Sequence, residues 1–554
     1  MNARTRQTIG GVVLFLGSFA AFWPSLSNGF VNWDDPGNIV LNPWLGRFDL
    51  SSIKWMWTTT QYGHFQPLAW MSLSLDAHLW GENASGFHLT ALLLHALSAI
   101  VLFAVLKELL PGKDEKSSDA AAFLAALLWA VHPMRAEAVA WATERRELLA
   151  VLFELAALLA YLRAVDEDEK KPKLLPALVL FWLAALSKVT AAFFPPILVF
   201  LDLWLLGRGV RLKEKAGFFA VALATLALGV YAQQVSGTTV SFAVFGLVER
   251  LAQAAYGPGR YLADTVWPLS LSPFVYVDRA VDPQRFWPCA LATVGLVLLS
   301  SLLAWRVPKA RAAFFSFFSL LLPSLGFFKS GPQTSADRFF HAPSLVLAAV
   351  LAWALNAAPK KTRSFAYAAC AVVAVLFAAL AHQHTAVWSD SVHLWGAAAM
   401  DGKPTPLVYQ NLASALRESG REAEALEVYA RLSAEDPGSP AALAYSADAR
   451  YAAGDYAFAA ALYGRALTLD PSQSTLRVNL GLALYKLGRL SDAEHAFGDA
   501  ARQDPLNASA WHNLGICLAK RGDSKKAKAA FEKALKLDPR RTDTRGALLR
   551  LNAR

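Results

Sequence analysis

Long apolar segments alternate with short polar segments along the first 382 residues of the chain. A membrane-spanning helix needs about 20 predominantly apolar residues, and these segments repeatedly meet or approach that length. The pattern therefore predicts a bundle of eleven spans, several of them short enough to need shielding by neighbouring helices. The predicted spans are residues 9–27, 87–106, 119–132, 147–162, 174–187, 190–206, 216–232, 286–305, 312–328, 342–357 and 364–382.

A repeat of 34 residues occupies the last third of the chain. The repeated positions are Gly420, Gly454, Gly488 and Gly522; Ala425, Ala459, Ala493 and Ala527; Tyr429, Tyr463, Phe497 and Phe531; and Pro437, Pro471, Pro505 and Pro539. The interval and the order of these residues resemble the tetratricopeptide repeat, which is a pair of helices. They predict four helix pairs over residues 404–540, closed by a capping helix over residues 541–552. The concave surface of such a stack typically binds an extended peptide or a partner protein, although a spacer or dimerisation role stays open.

Composition agrees with this division. Hydrophobic residues make up 55% of the 554 residues, with 18 Trp and 33 Phe, which is too apolar for an ordinary soluble protein. The predicted fold class is all-α, with a multi-spanning membrane domain over residues 1–385 and a repeat domain over residues 386–554. The three cysteines are scattered and read as buried small residues rather than as a disulfide or metal framework.

The basic residues predict how the bundle is oriented. Lys and Arg are concentrated in the short connections 163–173, 208–215, 306–311 and 360–363, which fall on one side if the spans alternate. The positive-inside rule makes that side and the N-terminus cytoplasmic. An odd number of spans then places the repeats outside the cytoplasm, so we expect a multi-pass inner-membrane protein with periplasmic repeats. We interpret the net charge of +10 mainly as this topology signal and predict no nucleic-acid partner.

The connection after the first span contains adjacent carboxylates, Asp34 and Asp35, just beyond the membrane surface. Mutual repulsion and partial burial would raise one pKa toward the range of a general base for an attacking hydroxyl. A turn or a helix cap explains Asp-Pro-Gly equally well. The sequence does not distinguish which of the two carboxylates is the base.

Fixed cations at the same membrane edge would bind and neutralise an anionic group. The predicted topology places five candidates there: Arg145, Arg146, Lys188, Arg338 and His341. Snorkelling at the end of a span is the simpler explanation for each of them alone.

Three other polar residues fall in or beside apolar segments. His132 and Glu137 are spaced poorly for two metal ligands on one helix, so a structural or acceptor-positioning role is favoured and no metal site is predicted. Glu154 lies near the middle of a span and should face the bundle interior, where a proton-relay role stays open.

A family resemblance then connects these residues. The motifs that carry it are Asn28 to Asn42, Gln66-Pro-Leu, Leu79-Trp-Gly, Gly86-Phe-His-Leu-Thr-Ala, His132-Pro-Met-Arg-Ala-Glu, Leu186-Ser-Lys, Asp337-Arg-Phe-Phe-His-Ala-Pro-Ser and Trp388-Ser-Asp. In this order they resemble the transmembrane and tetratricopeptide-repeat-containing O-mannosyltransferases. The resemblance implies a C-type glycosyltransferase fold, a polyprenyl-phosphate-linked sugar as donor, and an acidic motif at the place of Asp34 and Asp35. With such a donor, the five cationic candidates would bind its phosphate.

The leading hypothesis is therefore an inverting, lipid-linked-sugar-dependent glycosyltransferase acting on protein hydroxyls, with the repeats binding the acceptor or a partner. A divalent metal requirement is left unknown. A non-enzymatic membrane scaffold for envelope proteins and an O-antigen ligase or polymerase are the alternatives.

Overall fold

The computed structural model describes residues 2–110, 115–167, 171–238, 240, 245–277, 282–327, 331, 333–401, 404–435, 438 and 440–552. The chain divides into two compact units, Met1–Asp401 and Gly402–Arg554, here called the membrane unit and the repeat unit. The described residues form helices and no strand, with one isolated antiparallel bridge between Val275 and Ser335. The predicted all-α class is confirmed.

Sixteen α-helices build the described part of the membrane unit. They are α1 (Ala3–Phe22), α2 (Leu50–Thr58), α3 (Pro67–Trp80), α4 (Ala84–Leu109), α5 (Glu115–Ala130), α6 (Ala136–Ala140), α7 (Arg145–Glu167), α8 (Leu175–Ser187), α9 (Pro195–Trp204), α10 (Leu212–Val235), α11 (Leu247–Val266), α12 (Pro283–Arg306), α13 (Pro308–Leu321), α14 (Ser344–Ala357), α15 (Lys360–His384) and α16 (Ser391–Met400).

Each predicted span falls on one of these helices, but fewer of them are long enough to cross a bilayer. Within the described residues, six helical segments have the length and apolar composition of a span, and a seventh is reached if α5 and α6 count as one span bent by 57°. The apolar helices α8, α9 and α14 are shorter. Proline explains part of the shortening, because Pro195 opens α9 and Pro133 interrupts the path from α5 to α6. The protein is a membrane protein, with fewer long spans than the eleven predicted.

Apolar side chains from α4, α5, α7, α8, α9 and α14 form the main core of the membrane unit. Alanine lines many of the contacts, as at Ala121, Ala125 and Ala157, and lets the helices approach closely. This core includes residues of α7, and the first turn of α7 carries part of the polar site described below.

The repeat unit contains nine described helices. They are α17 (Pro406–Glu418), α18 (Glu422–Glu435), α19 (Pro440–Ala452), α20 (Tyr456–Leu469), α21 (Ser474–Lys486), α22 (Leu490–Gln503), α23 (Ala508–Lys520), α24 (Ser524–Leu537) and α25 (Thr542–Asn552). They match the four predicted pairs and the capping helix. Pro437 lies outside the described residues.

The repeated glycines have a backbone reason. At the turn within each pair, glycine adopts φ between +74° and +89°, a left-handed conformation that side chains disfavour. Gly515 serves a different purpose, because a Cβ there would lie 2.6 Å from the ring of Phe531 on the second helix. The first and second helices of a pair therefore touch at this position.

The boundary between the units lies after α16 rather than at residue 385. Trp395 of α16 donates a hydrogen bond to the Asn32 side chain over 2.7 Å, and the Asn32 backbone amide donates to Ser391 over 2.8 Å. These contacts tie α16 to the connection after α1, and therefore to the membrane unit.

Candidate active site

The two adjacent carboxylates after α1 have different surroundings. Asp35 is buried, and its carboxylate accepts hydrogen bonds from the Thr143 hydroxyl (2.6 Å), the Thr143 amide (3.1 Å) and the Val31 amide (3.0 Å). Burial raises the pKa of Asp35 to about 6, although the bonds from Thr143 and Val31 oppose the rise. Asp35 therefore joins the first loop to the turn before α7.

Asp34 instead lines a cavity of about 580 Å³. Its backbone carbonyl accepts from the Asn38 amide at 2.9 Å, which opens the short helical turn Pro36–Val40. Burial raises the pKa of the Asp34 carboxyl, while the positive charges of Arg146 and Arg338 act in the opposite direction. The carboxyl group of Asp34, but not that of Asp35, is therefore available to a molecule in the cavity.

The wall of this cavity comes from several parts of the membrane unit. Segments 62–66, 146–154 and 188–193 contribute, together with residues of α10, the connection before α14, and α11. The wall is polar near Asp34, whereas Leu226, Val230 and Leu320 are on its apolar part. The cavity therefore has a charged region and an apolar region, and one ligand can contact both.

Three cations line the cavity: Arg146, Lys188 and Arg338. Carboxylates from the turn before α7, α6 and α7 accompany them, and we call these six residues the cavity cluster: Arg146, Lys188, Arg338, Glu137, Glu144 and Glu147.

Glu144 lies at the centre of the cavity cluster. Its carboxylate is 2.7 Å from Arg146 Nη2, 3.6 Å from Lys188 Nζ and 3.4 Å from Arg338 Nε. Lys188 also pairs with Glu147. One buried carboxylate thus holds all three cations within reach of one another and fixes their positions before any ligand binds.

Arg338 is held on several sides. It pairs with Glu137 and donates to Gln333 Oε1 at 2.8 Å. Its guanidinium lies 5.1 Å from the Trp141 ring centroid and 5.7 Å from that of Trp33. The negative charge of Glu137 raises the pKa of Arg338 despite burial, so its positive charge is permanent.

Arg146 keeps unused donors. Within the described part of the chain, its Nε and Nη1 atoms are buried and have no hydrogen-bond partner. A buried guanidinium with spare N–H groups is costly unless a ligand or water satisfies it. An anion in the cavity would meet that requirement.

A stack of tryptophans supports the loop that carries Asp34. Trp33 stacks on Trp141 with ring centroids 4.8 Å apart, and Trp141 stacks on Trp388 at 5.5 Å. Because Trp33 precedes Asp34 directly, this packing restricts where the carboxylate lies.

Arg145 has no place on the cavity wall. Its side chain is fully buried, 2.6 Å from Asp76, and it donates to Ser72 and to the Phe87 carbonyl at 2.9 and 2.7 Å. Arg145 therefore connects the start of α7 to α3 and α4.

The two predicted histidines also lie elsewhere. His341 is buried, with its ring 5.2 Å from Trp129 and 6.0 Å from His95. His132 caps the turn before α6, since its Nδ1 accepts from the Met134 amide at 3.2 Å and its Nε2 contacts the Thr265 carbonyl at 3.1 Å. Neither ring is on the cavity wall.

Sequence analysis missed four residues of the site: Glu144, Glu147, Gln333 and His64. Glu144 and Glu147 could have been predicted from the sequence, because a Glu-Arg-Arg-Glu run at the start of an apolar helix is expected to form ion pairs inside the bundle. No sequence pattern predicts Gln333 or His64, because each reaches the cavity from a separate loop. Burial and the nearby Arg146 hold the pKa of His64 well below its usual range, so its imidazole is neutral. Among the described residues, no group of three or more His, Cys, Asp or Glu side chains has an arrangement suited to a metal ion.

Comparison with known proteins gives two matches in one chain. A family model described as dolichyl-phosphate-mannose-protein mannosyltransferase matches residues 67–233. Tetratricopeptide repeat models match residues 408–441, 447–488 and 478–541. The chain carries a mannosyltransferase-like domain followed by tetratricopeptide repeats. The predicted resemblance is confirmed.

Similar curated proteins are protein O-mannosyl-transferases. TMTC1 from Homo sapiens is 35% identical over 114 residues, covering 21% of this chain and 12% of that protein. TMTC3 from Homo sapiens is 32% identical over 178 residues (30% and 18%), and F38B6.6 from Caenorhabditis elegans is 27% identical over 234 residues (41% and 32%). The matches thus span less than one third of the length of each of these relatives. Among solved structures, the Sgt2 TPR domain from Aspergillus fumigatus is 26% identical, covering 20% of this chain and 75% of that one, with a TM-score of 0.20.

The mannosyltransferase-like match includes Arg146 and Lys188, but Asp34 and Arg338 lie outside it. The cavity therefore combines residues from the matched segment with residues before and after it.

Proposed function

We propose that this protein is a membrane glycosyltransferase that moves a sugar from a polyprenyl-phosphate donor to a hydroxyl group of a polypeptide. The observation that carries the proposal is that Asp34 shares one cavity with three cations, Arg146, Lys188 and Arg338. A general base and a set of fixed positive charges are what displacement of a phosphate by a hydroxyl group needs. The similarity to protein O-mannosyl-transferases supports the same reaction class.

Asp34 is the general base in this proposal. Its carboxylate takes the proton of the acceptor hydroxyl as the oxygen attacks the anomeric carbon of the sugar. The bond from that carbon to the phosphate oxygen breaks on the opposite face, so the configuration inverts. Asp35 acts as a positioning residue, because its bonds to Thr143 and Val31 hold the loop on which Asp34 lies.

The cations bind the phosphate and stabilise the charge that develops on it. Arg146 contributes the N–H groups of its two nitrogens without partners, Nε and Nη1, whereas Lys188 and Arg338 contribute charge already oriented by Glu144 and Glu147. Glu137 acts through Arg338, to which it is paired. Because the cluster is preassembled, little reorganisation accompanies the reaction.

The apolar part of the wall favours a lipid-linked donor. A second, narrower cavity of about 80 Å³ lies among α4, α7, α9, α13 and α14, and shares Glu154 and Leu320 with the larger one. Apart from Glu154 and Ser316, its lining is apolar. A prenyl chain attached to a phosphate in the larger cavity has an apolar path here.

The proposed topology is the one that the basic connections predict, and it requires an odd number of crossings, as in the count of seven reached when α5 and α6 form one bent span. The N-terminus is cytoplasmic, and the cavity opens on the opposite side of an inner membrane, where the repeats are also placed. The distribution of Lys and Arg in the short connections supports this orientation.

The repeats bind a polypeptide acceptor or partner through their first helices. Asn411, Asn479 and Asn513 occupy the same position of three repeats and are half-buried. Asn513 lies two residues before Gly515, which faces the second helix, and is thus about 200° round the helix from that contact. An asparagine at this position can pair with the backbone of an extended segment, and Asn479 Nδ2 also donates to Asp448 of the preceding repeat at 3.4 Å.

Mass spectrometry of extracytoplasmic proteins tests the transferase proposal. Cells that carry wild type, Asp34→Asn or Asp35→Asn are compared with a deletion strain for sugar-sized mass shifts. We expect Asp34→Asn to lose transfer by about 10²–10⁴-fold without a change in melting temperature. Full transfer by a folded Asp34→Asn protein would contradict the assignment.

The matched substitution is Arg145→Gln, which removes a cation next to the cavity cluster in sequence but absent from the cavity wall. Transfer per folded molecule should survive in that variant. If no protein modification changes in any strain but envelope polysaccharide does, the acceptor is a glycan rather than a polypeptide.

A further inference from the structure

The net charge of the chain is concentrated at its C-terminal end. Residues 520–554 contain twelve Lys or Arg and four Asp or Glu, a net charge of +8 out of +10 for the whole chain. Residues 402–519 contain ten Lys or Arg and thirteen Asp or Glu, a net charge of −3. Residues 1–401 carry the remaining +5, so the interpretation of the total charge as mainly a topology signal accounts for only half of it. The repeat unit is polarised between an acidic part and a strongly basic end.

Helix α24 presents much of this charge on one face. Lys525, Lys528, Lys533 and Lys536 are exposed and fall within a sector of about 140° at 100° per residue. We call them the lysine face. Glu532 is the acidic side chain within this sector.

The lysine face lies opposite the core of the repeat. The buried stripe of the same helix consists of Ala527, Phe531 and Ala534. Within the described residues, no ion pair is formed by any of the four lysines, whereas Lys526, outside the face, pairs with Asp523 at 3.0 Å. The charge is thus directed to solvent rather than used to hold the repeat together.

The repeat pattern does not explain these lysines. The positions 34 residues earlier are Ser491, Glu494, Asp499 and Arg502, and those a further 34 residues earlier are Ala457, Ala460, Arg465 and Thr468. A structural requirement of the repeat would act at all equivalent positions. The lysine face is therefore a property of the last repeat alone.

Exposed cations continue beyond α24. Arg540, Arg545 and Arg550 are exposed on and before the capping helix α25. Such a density of unpaired cations is complementary to a surface of many negative charges rather than to one small anion.

We propose that the lysine face and the basic end of the repeat unit dock onto anionic phospholipid headgroups of the membrane that holds the same chain. Charge complementarity selects an anionic surface, and tethering favours this one, since the membrane unit keeps it at high effective concentration. Each Lys or Arg near an anionic leaflet strengthens binding by about fivefold. The asparagines proposed to bind a polypeptide are on the first helices, so this docking leaves them accessible. The inference does not depend on sugar transfer, and its test measures binding only.

The test uses the full chain in vesicles, with a protease site inserted after Asp401. The protein is reconstituted in phosphatidylcholine alone or in phosphatidylcholine mixed with phosphatidylglycerol. After cleavage, flotation separates vesicle-bound from released repeat unit. We expect retention on the anionic vesicles at about 0.1 M salt, and release at about 1 M salt or from phosphatidylcholine alone.

Lys528→Gln/Lys533→Gln/Lys536→Gln should weaken retention by on the order of a hundredfold. Gln keeps the helix propensity of Lys, so the melting temperature of the repeats should not change. The matched control, Arg431→Gln/Arg465→Gln/Lys486→Gln, removes three exposed cations of the earlier repeats and should stay bound.

Release of the wild-type repeat unit from anionic vesicles at low salt overturns the proposal and points to a soluble acidic polypeptide as the partner. Equal release of the triple variant and its control also overturns it, because the lysine face would then have no special role. Loss of sugar transfer in the Asp34→Asn protein with retention unchanged separates this inference from the proposed function.

Discussion

Two clusters of buried charge in the membrane unit use the same kinds of side chain, but only one of them faces a large cavity. The cavity cluster surrounds the space next to Asp34. The other, here called the closed cluster, joins α7, α9 and the start of α10 and consists of Tyr161, Asp202, Arg208, Glu214 and Lys215.

In the closed cluster, every charged side chain has at least one oppositely charged partner within the protein. The Asp202 carboxylate accepts hydrogen bonds from Lys215 Nζ at 2.5 Å, Arg208 Nη1 at 2.9 Å and the Tyr161 hydroxyl at 2.8 Å. The side chains of Asp202 and Lys215 have no exposed surface. Removal of one partner would therefore leave a buried charge with too few neighbours.

In the cavity cluster, the cations share carboxylates and still face open space. Lys188 remains 14% exposed, and Arg146 has two donors without partners in the described part of the chain. Under the proposed function, burial and pairing alone do not identify a functional charge. The cavity cluster differs because its cationic side chains line a cavity large enough to hold a ligand.

The largest expected effect on stability is in the closed cluster. Lys215→Met removes a fully buried partner of Asp202, and breaking such a pair costs about 3–5 kcal/mol. We expect a lower free energy of unfolding in detergent, with normal transfer per folded molecule. Impaired transfer in correctly folded Lys215→Met would remove the distinction between the clusters.

The corresponding substitution in the cavity cluster, Lys188→Met, should lower the rate of transfer more than it lowers stability. Lys188→Met leaves Glu144 paired with Arg146 and Arg338 and removes the partner of Glu147, which lines the cavity, so stability should fall less than in Lys215→Met. Loss of one preorganised charge at the reacting group lowers the rate by about 10²–10³-fold. Single-turnover transfer with purified protein measures this, and the melting temperature of the same preparation is the control. A large loss of stability with unchanged transfer would assign Lys188 a structural role.

The sequence predicted the helices and repeats better than it predicted which buried charges line the cavity. Apolar length and the 34-residue period are local signals, so helices and repeats could be located from them. The pairing of Asp35 with Thr143 spans 108 residues and could not be read from a local pattern. Arg145 and Arg146 are neighbours in sequence, but they differ by about 100° around α7, so only one of them lines the cavity.

The pH dependence of stability should separate Asp35 from Asp34. The pKa of folded Asp35 is about 6, against a usual value of 3.8, so the folded state binds this proton more tightly than the unfolded state does. Wild type should therefore lose up to about 3 kcal/mol of stability as the pH rises from about 4 to about 6, and no more above that.

Asp35→Asn does not titrate, so the difference between the two unfolding free energies isolates this contribution. The variant should be less stable by a pH-independent amount as well, because its amide NH₂ cannot accept the bonds that the carboxylate accepts from both Val31 and Thr143. A difference that does not change between pH 4 and pH 6 would contradict the assigned pKa.

The smallest expected effect is a displacement of the pH profile of transfer. Asp34 must be deprotonated to act as a base, so kcat/KM should fall as the pH drops through its pKa, which burial raises and Arg146 lowers. Arg146→Gln removes the favourable charge and should therefore move the acid limb of the profile to higher pH. Arg145→Gln removes the same charge from the adjacent position, which is not on the cavity wall and does not contribute to the shift in the pKa of Asp34, and should leave the acid limb in place. Equal displacement by both substitutions would mean that the profile follows total charge rather than the cavity cluster, and the proposed effect of Arg146 on the pKa of Asp34 would lose its support.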